Sequence, residues 1–207
     1  MTAPANGPSG NRLQLLWADL RQLRPALRLI TLCAMLLPSA TFGWLRPILY
    51  CAIGIKIGRR CRIFGKLDIT GQGRVLSNIR IGEQCMLTTP LFLNASAPIT
   101  IGDRVGIGHH VVIITDSHDM QDPDNRCGPG HALPVTIENG VWIGARVTIL
   151  PGVTLRRGSV VAAGSVVASD VPEDALVGGS PARTIRRLPG AKREPSDDTS
   201  QARLERL

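Results

Sequence analysis

The 207-residue sequence predicts an all-β solenoid, a stack of short strands wound into a roughly triangular coil behind an N-terminal helical extension. Three observations point there. An aliphatic residue returns at every sixth position through Ile57, Ile63, Ile69, Val75, Ile81, Leu87 and Leu93, resumes at Ile101, Ile107 and Ile113, and runs again through Ile137, Ile143, Ile149, Leu155, Val161 and Val167. The next residue is often glycine (Gly58, Gly82, Gly102, Gly108, Gly144), and the fourth one on is small or β-branched, as at Cys61, Cys85, Val105 and Val147. Aromatic residues make up only 3% of the chain against 22 Gly and 15 Pro, which suits an interior too narrow for rings.

A helical stripe recurs near 3.6 residues and a half-buried strand alternates by two, so a period of six is one short strand plus one turn. Gly, Asn or Asp takes the turn because positive φ is tolerated there. The aliphatic side chains then point inward and stack, each coil burying its core only against its neighbours.

Taken in order, residues 1–10 form a polar lead expected to be disordered. The start, MTAPANGPSGNR, lacks the charged stretch followed by an apolar run that marks an export signal. Residues 11–53 form a helical, apolar extension: Leu13, Leu16, Trp17, Leu20 and Leu23 recur at helical spacing, with Pro25 expected as a kink. The apolar run after Pro25 contains Arg28 and stops at Pro38. It falls short of the roughly 20 apolar residues that span a bilayer. Two roles stand open for this extension: a helix packed over the open end of the solenoid, or a basic amphipathic segment that places residues 11–50 against the inner face of a membrane. Residues 54–188 carry the repeat, and residues 189–207 form a polar tail expected to be disordered.

The net charge of +8 fits phosphorylated cofactors or an anionic membrane as well as nucleic acid. No nucleic-acid motif accompanies it and stacking aromatics are missing, so no nucleic-acid partner is expected. The five cysteines contain no CxxC pair, which predicts reduced thiols serving as small apolar core residues in a cytoplasmic protein.

The pattern breaks after Ile113. The residues between it and Ile137 are polar and turn-rich, although the count stays a multiple of six. Such a segment must leave the coil as a loop, and loops on rigid scaffolds are where sites are built. His118 lies at its beginning, anchored by the strand headed by Ile113, in the sequence IITDSHDM. A histidine held this way is a candidate general base, with an unperturbed pKa near 6.5. Asp116, two residues away and so on the same strand face, is the candidate to orient its ring; Asp119 is the immediate neighbour. His109 and His110 read as turn residues and His131 as a loop residue.

The repeat, together with VWIGARVTILPGVTLRRGSVVAAGSVVASDVPEDALVGGSPARTIRRL from Val141 to Leu188, resembles the hexapeptide-repeat acyltransferases. The likeness covers roughly residues 54–188. The C-terminal half looks especially like the galactoside and maltose O-acetyltransferase branch and its polysaccharide-modifying relatives. The resemblance implies a left-handed parallel β-helix, a homotrimer with sites between subunits, acetyl-CoA as donor without a metal, and a hydroxyl acceptor on a sugar, polysaccharide or glycolipid. It makes His118 the general base of a direct transfer with no acyl-enzyme, and Asn94 in LFLNAS a contact for acceptor hydroxyls. It places Trp142, Ala145, Ala163, Ala168, Ser169, Arg183 and Arg186 along the cofactor, where arginine offers phosphate a rigid charged fork. Two departures stand out. Relatives carry Thr-Lys where this chain has Ala168-Ser169, and Pro after the base where Asp119 stands. A non-catalytic scaffold, a γ-class carbonic-anhydrase-like metal enzyme on the same fold, and an acyl donor carried by acyl carrier protein are the competing readings.

Overall fold

Short strands rich in Ile and Val can bury one side chain each when the chain turns every few residues and stacks on itself. The computed structural model, which describes residues 24–38 and 41–189, shows this arrangement as a left-handed parallel β-solenoid of about six turns with two helices on its N-terminal side. The expected disorder at 1–10 and 190–207, and the helical spacing from Leu13 to Leu23, lie outside the described residues.

Three parallel sheets form the walls. The first stacks β1 (Lys56–Ile57), β4 (Ile79–Ile81), β7 (Ile99–Ile101), β12 (Val135–Ile137) and β15 (Thr154–Leu155). The second stacks β2 (Arg62–Ile63), β5 (Met86–Leu87), β8 (Gly106–Ile107), β13 (Trp142–Ile143), β16 (Val160–Val161) and β18 (Ala175–Gly179). The third stacks β3 (Leu67–Thr70), β6 (Leu91–Asn94), β9 (Val111–Ile113), β14 (Thr148–Ile149) and β17 (Val166–Val167). Finally β19 (Ala182–Arg187) folds back antiparallel on β18 and closes the edge of the second wall.

The six-residue column runs through the core, with residues such as Leu67, Ile79, Leu91, Ile99 and Val111 buried beside it. From Ile81 to Val167 each of its members is at most 2% exposed. Only Ile57 and Ile69, in the first coil, are half-buried. Register partners on the first wall, Ile57, Ile81, Ile101, Ile137 and Leu155, step by 24, 20, 36 and 18 residues. The regular coil is thus 18 residues, and the 36-residue step contains one extra coil's length.

The glycines after the aliphatic positions serve a different purpose from the one expected. Gly58, Gly82, Gly102, Gly108 and Gly144 do not take positive φ; the left-handed conformation falls two residues later at Arg60, Gln84, Arg104, His110 and Arg146. A Cβ on Gly58 would sit 2.6 Å from the backbone of Gly82, and one on Gly108 2.7 Å from Gly144 C and Ala145 N. These glycines let one coil's backbone rest on the next.

Pro25 is the first residue of helix α1 (Pro25–Leu36) and not a kink, since the first helical position needs no N–H. A second helix, α2 (Leu45–Ala52), lies in the TFGWLRPILY stretch and is fastened to the first coil. Leu67 N–H donates to Tyr50 Oη at 2.8 Å, and Ile63 N–H donates to Gly43 O at 2.9 Å. Arg46 is fully buried between the helices and the coil. It donates to the carbonyls of Thr41, Leu37 and Pro38 at 2.6, 2.8 and 3.0 Å, and more weakly to Ala34 and Ile63 at 3.3 and 3.4 Å. Burial pulls its pKa down and pushes that of the Tyr50 phenol up.

Cys61 and Cys85 are buried in the core as expected of small apolar residues, but Cys51 and Cys127 are exposed and Cys33 is half-buried. All five are free thiols.

Candidate active site

The polar segment after Ile113 leaves the wall as a hairpin, β10 (Asp116–His118) against β11 (Gly130–Ala132), with Asp116 opposite Ala132 and His118 opposite Gly130. Thr115, fully buried, fixes its root. The hydroxyl accepts from Ala97 N–H at 3.0 Å and donates to Asn94 O at 2.8 Å, while Thr115 O accepts from Leu133 N–H at 2.9 Å. A buried hydroxyl satisfied in both directions is a rigid foundation.

Beyond it, His118 is exposed, and its Nδ1 lies 2.8 Å from the carbonyl of Gly128. A carbonyl only accepts, so Nδ1 carries a proton, and in the neutral ring the lone pair falls on Nε2. The carbonyl is held in turn: Asp119 N–H donates to Pro129 O, and Gly128 N–H to Asp119 O, each at 3.0 Å. Asp119 Oδ1 accepts from Gln121 N–H at 3.0 Å, shaping the turn that follows.

Asp116 is placed differently from the expectation. It shares β10 with His118, but its Oδ2 accepts from Asn94 Nδ2 at 2.8 Å, and the ring of His118 is oriented by the backbone of Gly128. The cross-hairpin carbonyl occupies the imidazole nitrogen that the carboxylate would have taken. Asn94 closes β6 with its side chain turned to the hairpin root, where Oδ1 also lies 3.1 Å from Thr115 Oγ1. The sequence reading missed Gly128 and Thr115. Gly128 had a faint signal in the CGPG turn, and a Cβ there would lie 2.8 Å from Asp119 O.

The residues expected along the cofactor fall on the second wall and on the corners near its C-terminal end. Trp142 is exposed on β13 between Gly106 and Val160. The pairing of β13 with β16 stacks the corner at Ala145 on the corner at Ala163, joined by Gly164 N–H to Ala145 O at 2.9 Å. Both are small, and a Cβ on the preceding Gly144 would stand 2.6 Å from Ala163 N, so the corner itself demands little bulk. Ser169 and Arg183 line one hollow of about 160 Å³ with Asp170, Val177 and Thr184. Ala168 and Arg186 are exposed and do not line it. Arg183 Nη1 donates to Ala182 O at 3.0 Å, whereas Arg186 sits opposite Leu176. Among the described residues no group of three His, Cys, Asp or Glu side chains could hold a metal ion.

With this geometry, likeness to known proteins becomes informative. Residues 134–169 match the family model described as the hexapeptide repeat of succinyl-transferase. The crystal structure of a hexapeptide-repeat-containing acetyltransferase from Vibrio cholerae superposes with a TM-score of 0.69 at 31% identity, covering 87% of this chain and 94% of that one. The chain belongs to the hexapeptide-repeat acetyltransferases. The Vibrio cholerae protein has also been solved with acetyl coenzyme A, at 33% identity and a TM-score of 0.68 over 83% of this chain and 90% of that one. The galactoside O-acetyltransferase of Escherichia coli strain K12 is 38% identical over 112 residues, 54% of this chain and 55% of that protein. This family member spans about half the length of the curated relatives it matches.

Proposed function

We propose that the protein is an acetyl-CoA-dependent O-acetyltransferase acting on a hydroxyl of a sugar, polysaccharide or glycolipid. The observation that carries this reading is the 2.8 Å contact of His118 Nδ1 with the Gly128 carbonyl, which leaves Nε2 as the ring nitrogen open to a substrate on an exposed, rigidly rooted hairpin. Nε2 takes the proton of the acceptor hydroxyl as that oxygen attacks the thioester carbonyl. The tetrahedral intermediate collapses with cleavage of the C–S bond, and the proton passes from the imidazolium to the departing thiolate of coenzyme A. The acetyl group goes directly to the acceptor, and no acyl-enzyme forms. Gly128 keeps the ring in one orientation.

Asn94 and Asp116, held together at the hairpin root, bind the acceptor instead of steering the base; the carboxylate keeps an acceptor site for a sugar hydroxyl. Donor contacts come from Trp142, the small corner at Ala145 and Ala163, and the C-terminal hollow of Ser169 and Arg183, with Ala168 and Arg186 flanking it. Arg183 and Arg186 meet phosphates. A homotrimer brings the hairpin of one subunit to the donor wall of the next. The galactoside and maltose O-acetyltransferases among its relatives support the sugar acceptor, and the acetyl-CoA complex of the Vibrio cholerae relative supports the donor.

Calorimetric titration with acetyl-CoA tests the donor without a guess at the acceptor. One site per subunit, weakened by Arg183→Glu or Arg186→Glu, is the expected result. Absence of binding at millimolar donor would overturn it.

A further inference from the structure

Among the described residues, the two helices leave an apolar face uncovered. On α1, Leu27 and Ala34 are buried, while Leu29, Leu32, Met35 and Leu36 occupy the opposite stripe at 54–76% exposure. The link and α2 add Phe42, Trp44 and Ile48, at 50, 62 and 57%. Of the twelve large apolar side chains exposed among the described residues, these seven fall within twenty positions. A soluble surface rarely concentrates them so.

Charge is concentrated in the same region. Residues 24–67 contain eight Lys and Arg and no Asp or Glu, so the remaining 16 basic and 16 acidic residues cancel and this segment carries the whole net charge of +8. Arg28, Lys56, Arg60 and Arg62 are exposed and have no carboxylate partner among the described ion pairs, whereas Arg59 pairs with Glu83 and Lys66 with Asp68. Between α1 and β3 lies a hollow of about 400 Å³ whose lining mixes Arg24 and Arg28 with Leu32, Met35 and Ile69, and whose one acidic residue, Asp68, is paired with Lys66. Apolar side chains beside uncompensated cations are the composition of a surface that sits at the boundary between lipid headgroups and acyl chains. No helix among the described residues is long and apolar enough to cross a membrane.

We infer that α1 and α2 dock the protein peripherally on an anionic lipid surface, with Leu29, Leu32, Met35, Leu36 and Trp44 entering the interface and Arg28 and Lys56 meeting lipid phosphates. This docking is independent of the acetyltransfer reading.

Flotation of the full chain with vesicles tests it. The protein floats with phosphatidylcholine–phosphatidylglycerol vesicles, not with phosphatidylcholine alone, and salt weakens the association. Arg28→Gln with Lys56→Gln reduces binding about thirtyfold, at about 1 kcal/mol per surface charge. Leu32→Asp with Leu36→Asp abolishes it. Unchanged circular dichroism and thermal unfolding confirm that both variants fold. Failure to float with the anionic vesicles overturns the inference. So does a leucine variant that floats as well as the parent, or one whose main effect is to break an oligomer, since the face would then be covered by other parts of the chain or by a second copy.

Discussion

Replacing Arg46 with methionine keeps most of the side-chain volume and removes every donor. The guanidinium makes three short hydrogen bonds, to Thr41, Leu37 and Pro38, and two long ones, to Ala34 and Ile63. At about 1.5 kcal/mol for each short charged bond the loss is about 4.5 kcal/mol, and relief of the desolvation of a buried cation returns part of it, leaving about 3 kcal/mol. Four of the five acceptors lie in or just after α1, so the loss falls on the junction between the helices and the first coil. The helical cap then opens while the coils stay closed, and its opening constant rises about a hundredfold. Native-state trypsin cleavage measures it, with Arg28 as the site, under conditions where cleavage follows the population of the open form. Hydrogen exchange in β13 and β14 provides the control. A cleavage rate within twofold of the parent refutes the reasoning about Arg46, and equal loss of protection in β13 and β14 refutes the separation of cap from coils.

Replacement of His118 with alanine lowers kcat by about 10²–10⁴-fold in an assay of coenzyme A release, with unchanged thermal unfolding, because the ring lies outside the stacked core. Gly128→Ala pushes a methyl group against Asp119 O and displaces the carbonyl that orients the ring. It reduces kcat by up to about a hundredfold and leaves the KM for acetyl-CoA near the parent value. Ile143→Ala empties a fully buried position and costs about 2–5 kcal/mol in denaturant titration. Gly108→Ala has only backbone to press on, and its cost is about 1–3 kcal/mol by the same titration.

The coil was legible because parallel stacking buries the same position of every strand, so Ile101, Ile137 and Leu155 repeat one environment and one residue class. The glycine positions were legible too, but not their reason. A glycine needed for close backbone approach and one needed for positive φ look alike in sequence, and Gly58 with Arg60 shows the two demands falling on separate residues. In the site, His118 stood out as a polar residue at the point where the aliphatic column stopped. Its orienting partner did not, because the Gly128 carbonyl is backbone and lies ten residues away across a turn. Sharing a strand face made Asp116 the natural candidate, yet sharing a face does not decide which of two neighbours a carboxylate meets, and Asn94 is the one it found. Pro25 misled in the same way: the ring that breaks a helix interior also begins one.

The hairpin that carries His118 adds one coil's worth of chain to the 36-residue step between Ile101 and Ile137. It leaves the third wall after β9 and rejoins the first wall at β12 in phase, and β14 stacks on β9 as though nothing intervened. The turn between Asp119 and Gly128 can therefore be lengthened, shortened or rewritten while every inward side chain keeps its neighbour. The contour of the surface beside His118 and the ability to fold are two separately adjustable properties of this chain, so a lineage could rebuild that surface without first having to rescue its stability.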